Sequence, residues 1–193
     1  MRETNQPAPE FLQTPSQTVG PFFGYALPLE RGGEIAAPWN PAAIRLHGTV
    51  VDGAGDPIPD AILELWGADA SGTPISVEGS IERDGHRITG WGRTPVDRVG
   101  HYSFTTVKPG ATRPGSAPYV LVTVFARGLA HHLFTRAYFD DEPEANAGDP
   151  LLTRVAADRR GTLVATADGE RSYRFDIRLQ GEGETVFLDY FGY

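Results

Sequence analysis

The chain predicts a mainly β fold: an antiparallel β-sandwich of about seven or eight strands with one short helix and long irregular loops. Three observations carry this. Gly and Pro supply 23 and 16 of 193 residues, a density that suits many turns and poorly suits a helical bundle. Short runs rich in Val, Ile, Thr, Phe and Tyr recur along the chain, each bounded by turn residues. Helix-start chemistry occurs clearly once, at Asp149-Pro150.

Residues 1–13 are polar and proline-bearing and form an arm without a core of its own. In residues 14–23, two prolines and a glycine fix an extended, irregular path that Phe22 and Phe23 can anchor. Residues 26–43 are irregular again. Residues 44–66 predict two antiparallel strands around Asp52-Gly53-Ala54-Gly55-Asp56-Pro57. Leu63-Glu64-Leu65-Trp66 is apolar on both faces apart from Glu64, so this strand belongs inside the sandwich. Glu64 then needs an arginine or backbone amides.

A long polar connection covers residues 67–100. A strand over residues 101–107 stops at Lys108-Pro109-Gly110. Residues 118–126 are the most β-prone run and form a central strand; residues 131–140 form its neighbour across an Arg127-Gly128-Leu129 turn. An acidic connection over residues 140–149 leads to a short helix over residues 151–157, capped by Asp149. Two strands, residues 163–166 and 171–179, join at Ala167-Asp168-Gly169, and residues 186–190 add a last one.

The length allows one domain, residues 1–193, with a substantial core. The absence of cysteine excludes disulfides, thiol catalysis and Cys-based metal sites. A net charge of -8 argues against nucleic acid or an anionic membrane as the main partner. The N-terminal residues hold no apolar signal core, which predicts a cytoplasmic protein. The histidines (His47, His86, His101, His131, His132) show no metal-site spacing. His131 and His132, as strand neighbours, would face opposite ways. Nucleophile-elbow and phosphate-loop motifs are absent. The residues allow a self-sufficient metal set joining Tyr119, His132 and the acidic connection, with Asp140 or Asp141 beside His132; composition also permits a Ser-His-Asp triad, to which no motif points. From the residues alone, an iron-free homo-oligomeric binding or scaffolding sandwich is the alternative.

Six separated segments, in order, carry a family resemblance: TPSQTVGPF (14–22), LHGTVVDGAGDPIPDAILELWGADASG (46–72), the Gly92-Arg93-Thr94 turn, YSFTTVKPG (102–110), FARGLAHHLFTRAYFDDEPEANAGDP (125–150) and YRFDIRLQGEGETVFLDY (173–190). Together they resemble the intradiol aromatic-ring dioxygenases from about Thr14 to Tyr190. Members of that family hold a non-haem Fe(III) with two Tyr and two His and open a catechol ring between its hydroxyl-bearing carbons with O₂. Where iron-binding members place a Tyr after the first hairpin, this chain has Ser71-Gly72-Thr73-Pro74; in the loop after Lys108-Pro109-Gly110 it has Ala111-Thr112-Arg113-Pro114. At the H-x-H pair stand Tyr119 and Leu121.

The loss of all these ligands is similar to the non-metal alpha type of chain in this family. The resemblance therefore implies no catalytic and no metal-binding residue here, and Fe(III) on a homologous iron-binding beta chain in a hetero-oligomer. It implies protocatechuate and O₂ as substrates and 3-carboxy-cis,cis-muconate as product. The arm, residues 1–25, would contribute to the subunit interface and the pocket wall, with Thr18, Gly20, Pro21 and Arg127 on the substrate side. Arg136 is the rival arginine, or a structural one paired with Glu64 or Asp140.

Overall fold

A computed structural model describes residues 14–77 and 81–190. The expected arm over residues 1–13, and Gly79 of the long connection, lie outside the described residues. The strands are β1 (Ala43–Val51), β2 (Ile62–Trp66), β3 (Trp91–Pro95), β4 (His101–Val107), β5 (Tyr119–Phe125), β6 (Leu133–Phe139), β7 (Val164–Gly169), β8 (Ser172–Arg174) and β9 (Ile177–Arg178). They pair in the order β3-β2-β5-β6-β7-β8-β1-β4, with β9 also on β1. Most pairs are antiparallel; β6–β7, β1–β8 and β1–β9 are parallel.

The two halves of this path share one core because their strands alternate. On β1, Ile44, Leu46 and Val50 are buried while Arg45 faces solvent. On β5, Val120, Val122 and Val124 are fully buried and Tyr119, Leu121 and Phe125 stand on the other face. These residues meet Leu63 and Leu65 of β2, Tyr102 and Phe104 of β4, and Ala137 and Phe139 of β6 in a single cluster. Gly48 lets β1 run against the link between β8 and β9: a Cβ there would lie 2.0 Å from the Phe175 carbonyl oxygen.

Several expectations need correction. β1 and β2 do not form a hairpin; β1 pairs with β4, β8 and β9, and β2 with β3 and β5. The turn between them crosses from one half of the sandwich to the other, which local alternation cannot distinguish from a hairpin. β2 is internal as expected, yet Trp66 is 48% exposed at its end. The long connection holds β3, so the expected Gly92-Arg93-Thr94 turn is strand. Glu64 finds its arginine there: Arg93 donates from Nε (2.8 Å) and Nη2 to Oε1. Arg136 therefore pairs with neither Glu64 nor Asp140.

The helix expected over residues 151–157 is absent. Asp149 does cap, accepting from Leu151 N at 2.8 Å and Leu152 N at 3.1 Å, but the backbone makes only isolated turns. Helical residues lie on either side instead, in α2 (Pro143–Gly148) within the acidic connection and a 3-10 turn at Arg160–Leu163. A further short helix, α1 (Phe23–Ala26), follows the proline-rich lead-in; Phe23 is buried there and Phe22 exposed. The strand expected over residues 171–179 is split into β8 and β9, and residues 186–190 contribute only a bridge between Leu188 and Phe134.

Asp149 is 1% exposed and holds a second, smaller cluster of Ala117, Tyr138, Leu152 and Leu163 together. Burial opposes its charge, but bonds from Ala117 N (3.0 Å), Leu151 N, Leu152 N and the Tyr138 hydroxyl (3.1 Å) keep its carboxyl below the usual range. A depressed folded value means its stabilisation is present above the free-carboxyl value near pH 4 and is lost as pH falls through the folded value. Asp149→Ala should cost about 1–3 kcal/mol in urea denaturation at pH 7, with a smaller difference from the parent at low pH.

Candidate functional site

Two regions hold the residues singled out from the sequence. The first is a cleft of about 200 Å³ at one end of β2 and β5, lined by Trp66, Pro74, Ile75, Thr112, Tyr119 and Leu121 among others. Its walls are two loops fastened back to back. Gly110 N donates to Asp69 O at 2.8 Å, and Asp69 Oδ1 collects Ser71 N, Ser71 Oγ and Thr73 N. Gly72 adopts φ +85°, and a Cβ on it would lie 2.0 Å from the Ala111 carbonyl oxygen. Tyr119 and Leu121, two residues apart, share the outward face of β5.

This cleft takes lining residues from each segment where the family resemblance implies ligands: Pro74 from residues 71–74, Thr112 from residues 111–114, and Tyr119 and Leu121. A ferric ion takes hard anionic oxygens and imidazoles. Here Pro74 and Leu121 have nothing to donate, and Tyr119 is the one phenol. Among the described residues, no three His, Cys, Asp or Glu side chains group closely enough for a metal ion. The residues of this cleft do not fit a ferric ion.

The self-sufficient centre joining Tyr119, His132 and the acidic connection is not assembled. Tyr119 pairs with Tyr138 and Val124 with Leu133, so His132 lies beyond the far end of the ladder. At about 3.3 Å per residue that separates it from Tyr119 by roughly 20 Å. His132 packs against Phe125 and Phe134 instead. Asp140 accepts from Ala167 N, and Asp141 takes Lys108 Nζ and the Tyr173 hydroxyl, each at 2.8 Å.

The second region is the arm beside the β5–β6 turn. Gly128 N donates to Thr18 Oγ1 at 2.9 Å, which fastens the arm next to Arg127. Gly20 has φ +78° and turns the chain toward α1, and Pro21 is exposed. Thr18 and Arg127 are thus neighbours along one seam, with Gly20 and Pro21 leading away from it. The Arg127 side chain is 62% exposed and pairs through Nε with Asp60 Oδ2 at 3.0 Å. Arg136 is elsewhere: it lies over the Tyr119 ring, 4.0 Å from the centroid, and donates to the Tyr138 hydroxyl at 3.2 Å. With Arg113 and Arg154 it lines a larger cleft of about 410 Å³ that shares Thr112 and Tyr119 with the first. Arg113 and Arg154 carried no signal in the sequence, since one sits in a Pro/Gly loop and the other within the stretch expected to be helical.

Comparison with known proteins places the chain. A family model described as Dioxygenase matches residues 40–181. The chain belongs to the intradiol dioxygenase family. Protocatechuate 3,4-dioxygenase alpha chains from Burkholderia cepacia and Pseudomonas putida are 42% and 40% identical to it, each over 92% of this chain and 97% and 96% of their own length. The beta chain from Burkholderia cepacia is 32% identical over 74% of this chain and 66% of its own. The fold is also that of the dioxygenase domain of a dioxygenase carbohydrate-binding protein fusion from Streptomyces sp. SirexAA-E. That match has a TM-score of 0.58 at 24% identity and covers 87% of this chain and 98% of that one. Among the described residues, no helix is long and apolar enough to cross a membrane.

Thr18→Ala removes the bond from Gly128 N that fastens the arm to the Arg127-Gly128 turn, leaving the longer Ser16 Oγ–His131 Nδ1 contact at 3.5 Å. Limited proteolysis should then cleave residues 14–22 faster, while global stability falls by no more than about 1 kcal/mol.

Proposed function

We propose that this chain is the metal-free alpha subunit of a protocatechuate 3,4-dioxygenase, working in the cytoplasm as one domain beside a homologous iron-binding beta chain. The observation that carries this reading is a cleft that gathers Pro74, Thr112, Tyr119 and Leu121 from the segments where the family resemblance expects the iron ligands. A chain that keeps the family fold and alpha-chain likeness across its length, yet fills its ligand positions with side chains unable to hold iron, needs a homologue to supply the metal. The iron supplies the chemistry of ring opening and belongs on the beta chain.

The role of this chain is then to shape the pocket. The arm, residues 1–25, forms part of the subunit interface. Gly20 permits close approach of backbone to ligand, and Pro21 presents a rigid apolar edge. Thr18 holds the arm to the β5–β6 turn. Arg127 offsets the negative charge of the substrate carboxylate. Its pair with Asp60 is only partly buried, the arginine being 62% and the aspartate 28% exposed, so solvent screens it and exchange of partner carries a modest cost. A charge-assisted bond there contributes roughly 1.5–3 kcal/mol.

The test is reconstitution. This chain alone should not cleave protocatechuate; mixed with its beta chain it should raise the activity of the beta chain. Ring cleavage by this chain alone would overturn the reading. In the complex, Arg127→Ala should lower kcat/KM for protocatechuate by roughly tenfold or more, the equivalent of the contact given above. Catechol, which has no carboxylate, should lose little.

A further inference from the structure

The larger cleft is not accounted for by the role just proposed. It lies between the β4–β5 loop and the turn after α2, with a volume of about 410 Å³, and Arg113, Arg136 and Arg154 all line it. Among the described residues none of these arginines makes an ion pair. Acidic residues outnumber basic ones 25 to 17 in this chain, so three unpaired arginines in one cleft run against the composition.

The carboxylate in the lining is Asp149, and it is committed elsewhere. Oδ1 accepts from Leu151 N, Leu152 N and the Tyr138 hydroxyl, and Oδ2 from Ala117 N. Arg136 is held in place by neutral groups alone: its Nη1 donates to the Tyr138 hydroxyl, its Cζ lies 4.0 Å from the Tyr119 ring centroid, and its Nε is buried with no acceptor. Arg113 and Arg154 come from separate loops and are exposed. Like charges converging without a counter-ion repel, and an anion bound among them relieves that repulsion while gaining charge-assisted bonds. The space exceeds a single oxyanion, and the Tyr119 ring with Pro114, Pro150 and Leu151 gives it an apolar side suited to an organic acid.

We propose that this cleft binds a small organic carboxylate, held by Arg113, Arg136 and Arg154 with its carbon skeleton against Tyr119. The basic cleft stands apart from the proposed function; the choice of an aromatic acid or its ring-opened tricarboxylate as ligand rests on that reading.

The test needs no catalysis, so its failure is distinguishable from failure of the subunit assignment. Isothermal titration of the full chain would use protocatechuate, 3-carboxy-cis,cis-muconate and inorganic sulfate in turn, at low chloride. The expected result is one saturable site for at least one of the two carboxylates, weakened tenfold or more in the Arg113→Gln/Arg154→Gln double variant. That variant alters exposed side chains and should stay folded. Tighter binding of the tricarboxylate makes this a product site, and tighter binding of protocatechuate a substrate site. The proposal is overturned if neither carboxylate saturates, if the double variant binds equally well, or if sulfate binds as tightly as both. It is also overturned if the double variant changes only assembly with the beta chain, because the cleft is then an interface.

Discussion

Burial of Val120, Val122 and Val124 on one face of β5 is the constraint on which the other features depend. With those three side chains in the core, Tyr119 and Leu121 must face outward, and the pairing with β6 sets Arg136 opposite Leu121. A slip of one residue would reverse every side chain on the strand, placing the Tyr119 phenol in the core and valines at the cleft. The apolar interior thus fixes which residues stand at the ligand positions. Because β5 lies between β2 and β6, the register is held from both sides. The fold can keep this geometry whether imidazoles or other side chains occupy the outward positions, since the main core is built from the opposite face of the strand. That is why loss of metal ligands need not mean loss of the fold.

Much of this was legible from residues alone where local alternation and burial agree. β4, β5 and β6 lie within a residue or two of their expected ends, and Glu64 has its arginine. Where long-range pairing decides, local pattern failed. The runs in residues 44–66 look like a hairpin because the turn between them is rich in Gly, Asp and Pro; their partners, residues 91–95 and 101–107, are chosen by the sandwich. Asp149 was read correctly as a capping residue and wrongly as the start of a helix. Its carboxylate also ties Ala117 and Tyr138, and that tertiary bonding holds the following backbone in turns. Arg136 was visible as the rival arginine, but Arg113 and Arg154 come from distant segments and join it in one cleft only through the topology, so no spacing rule links the three.

The two arginine positions illustrate different kinds of site. Arg127 sits on a surface turn beside the arm, 62% exposed and paired with a partly buried Asp60. Arg136 is half-buried, stacked on Tyr119 and fixed by Tyr138. A flexible exposed cation suits a pocket completed by another chain. A preorganised cation in a cleft suits a ligand held by this chain itself. An iron-free homo-oligomeric scaffold would explain the fold, but leaves the alpha-chain likeness across nearly the whole length without a reason.

If the outward residues at the end of β5 cannot hold iron, as we propose, the metal comes from another chain. Iron content by elemental analysis, measured on this chain purified alone and again in complex with its beta chain, tests it most directly. Negligible iron is expected in the lone chain after growth in iron-rich medium, and stoichiometric iron per alpha–beta pair in the complex. One ferric ion per lone chain would contradict it and show that Tyr119 and its neighbours form a metal centre after all.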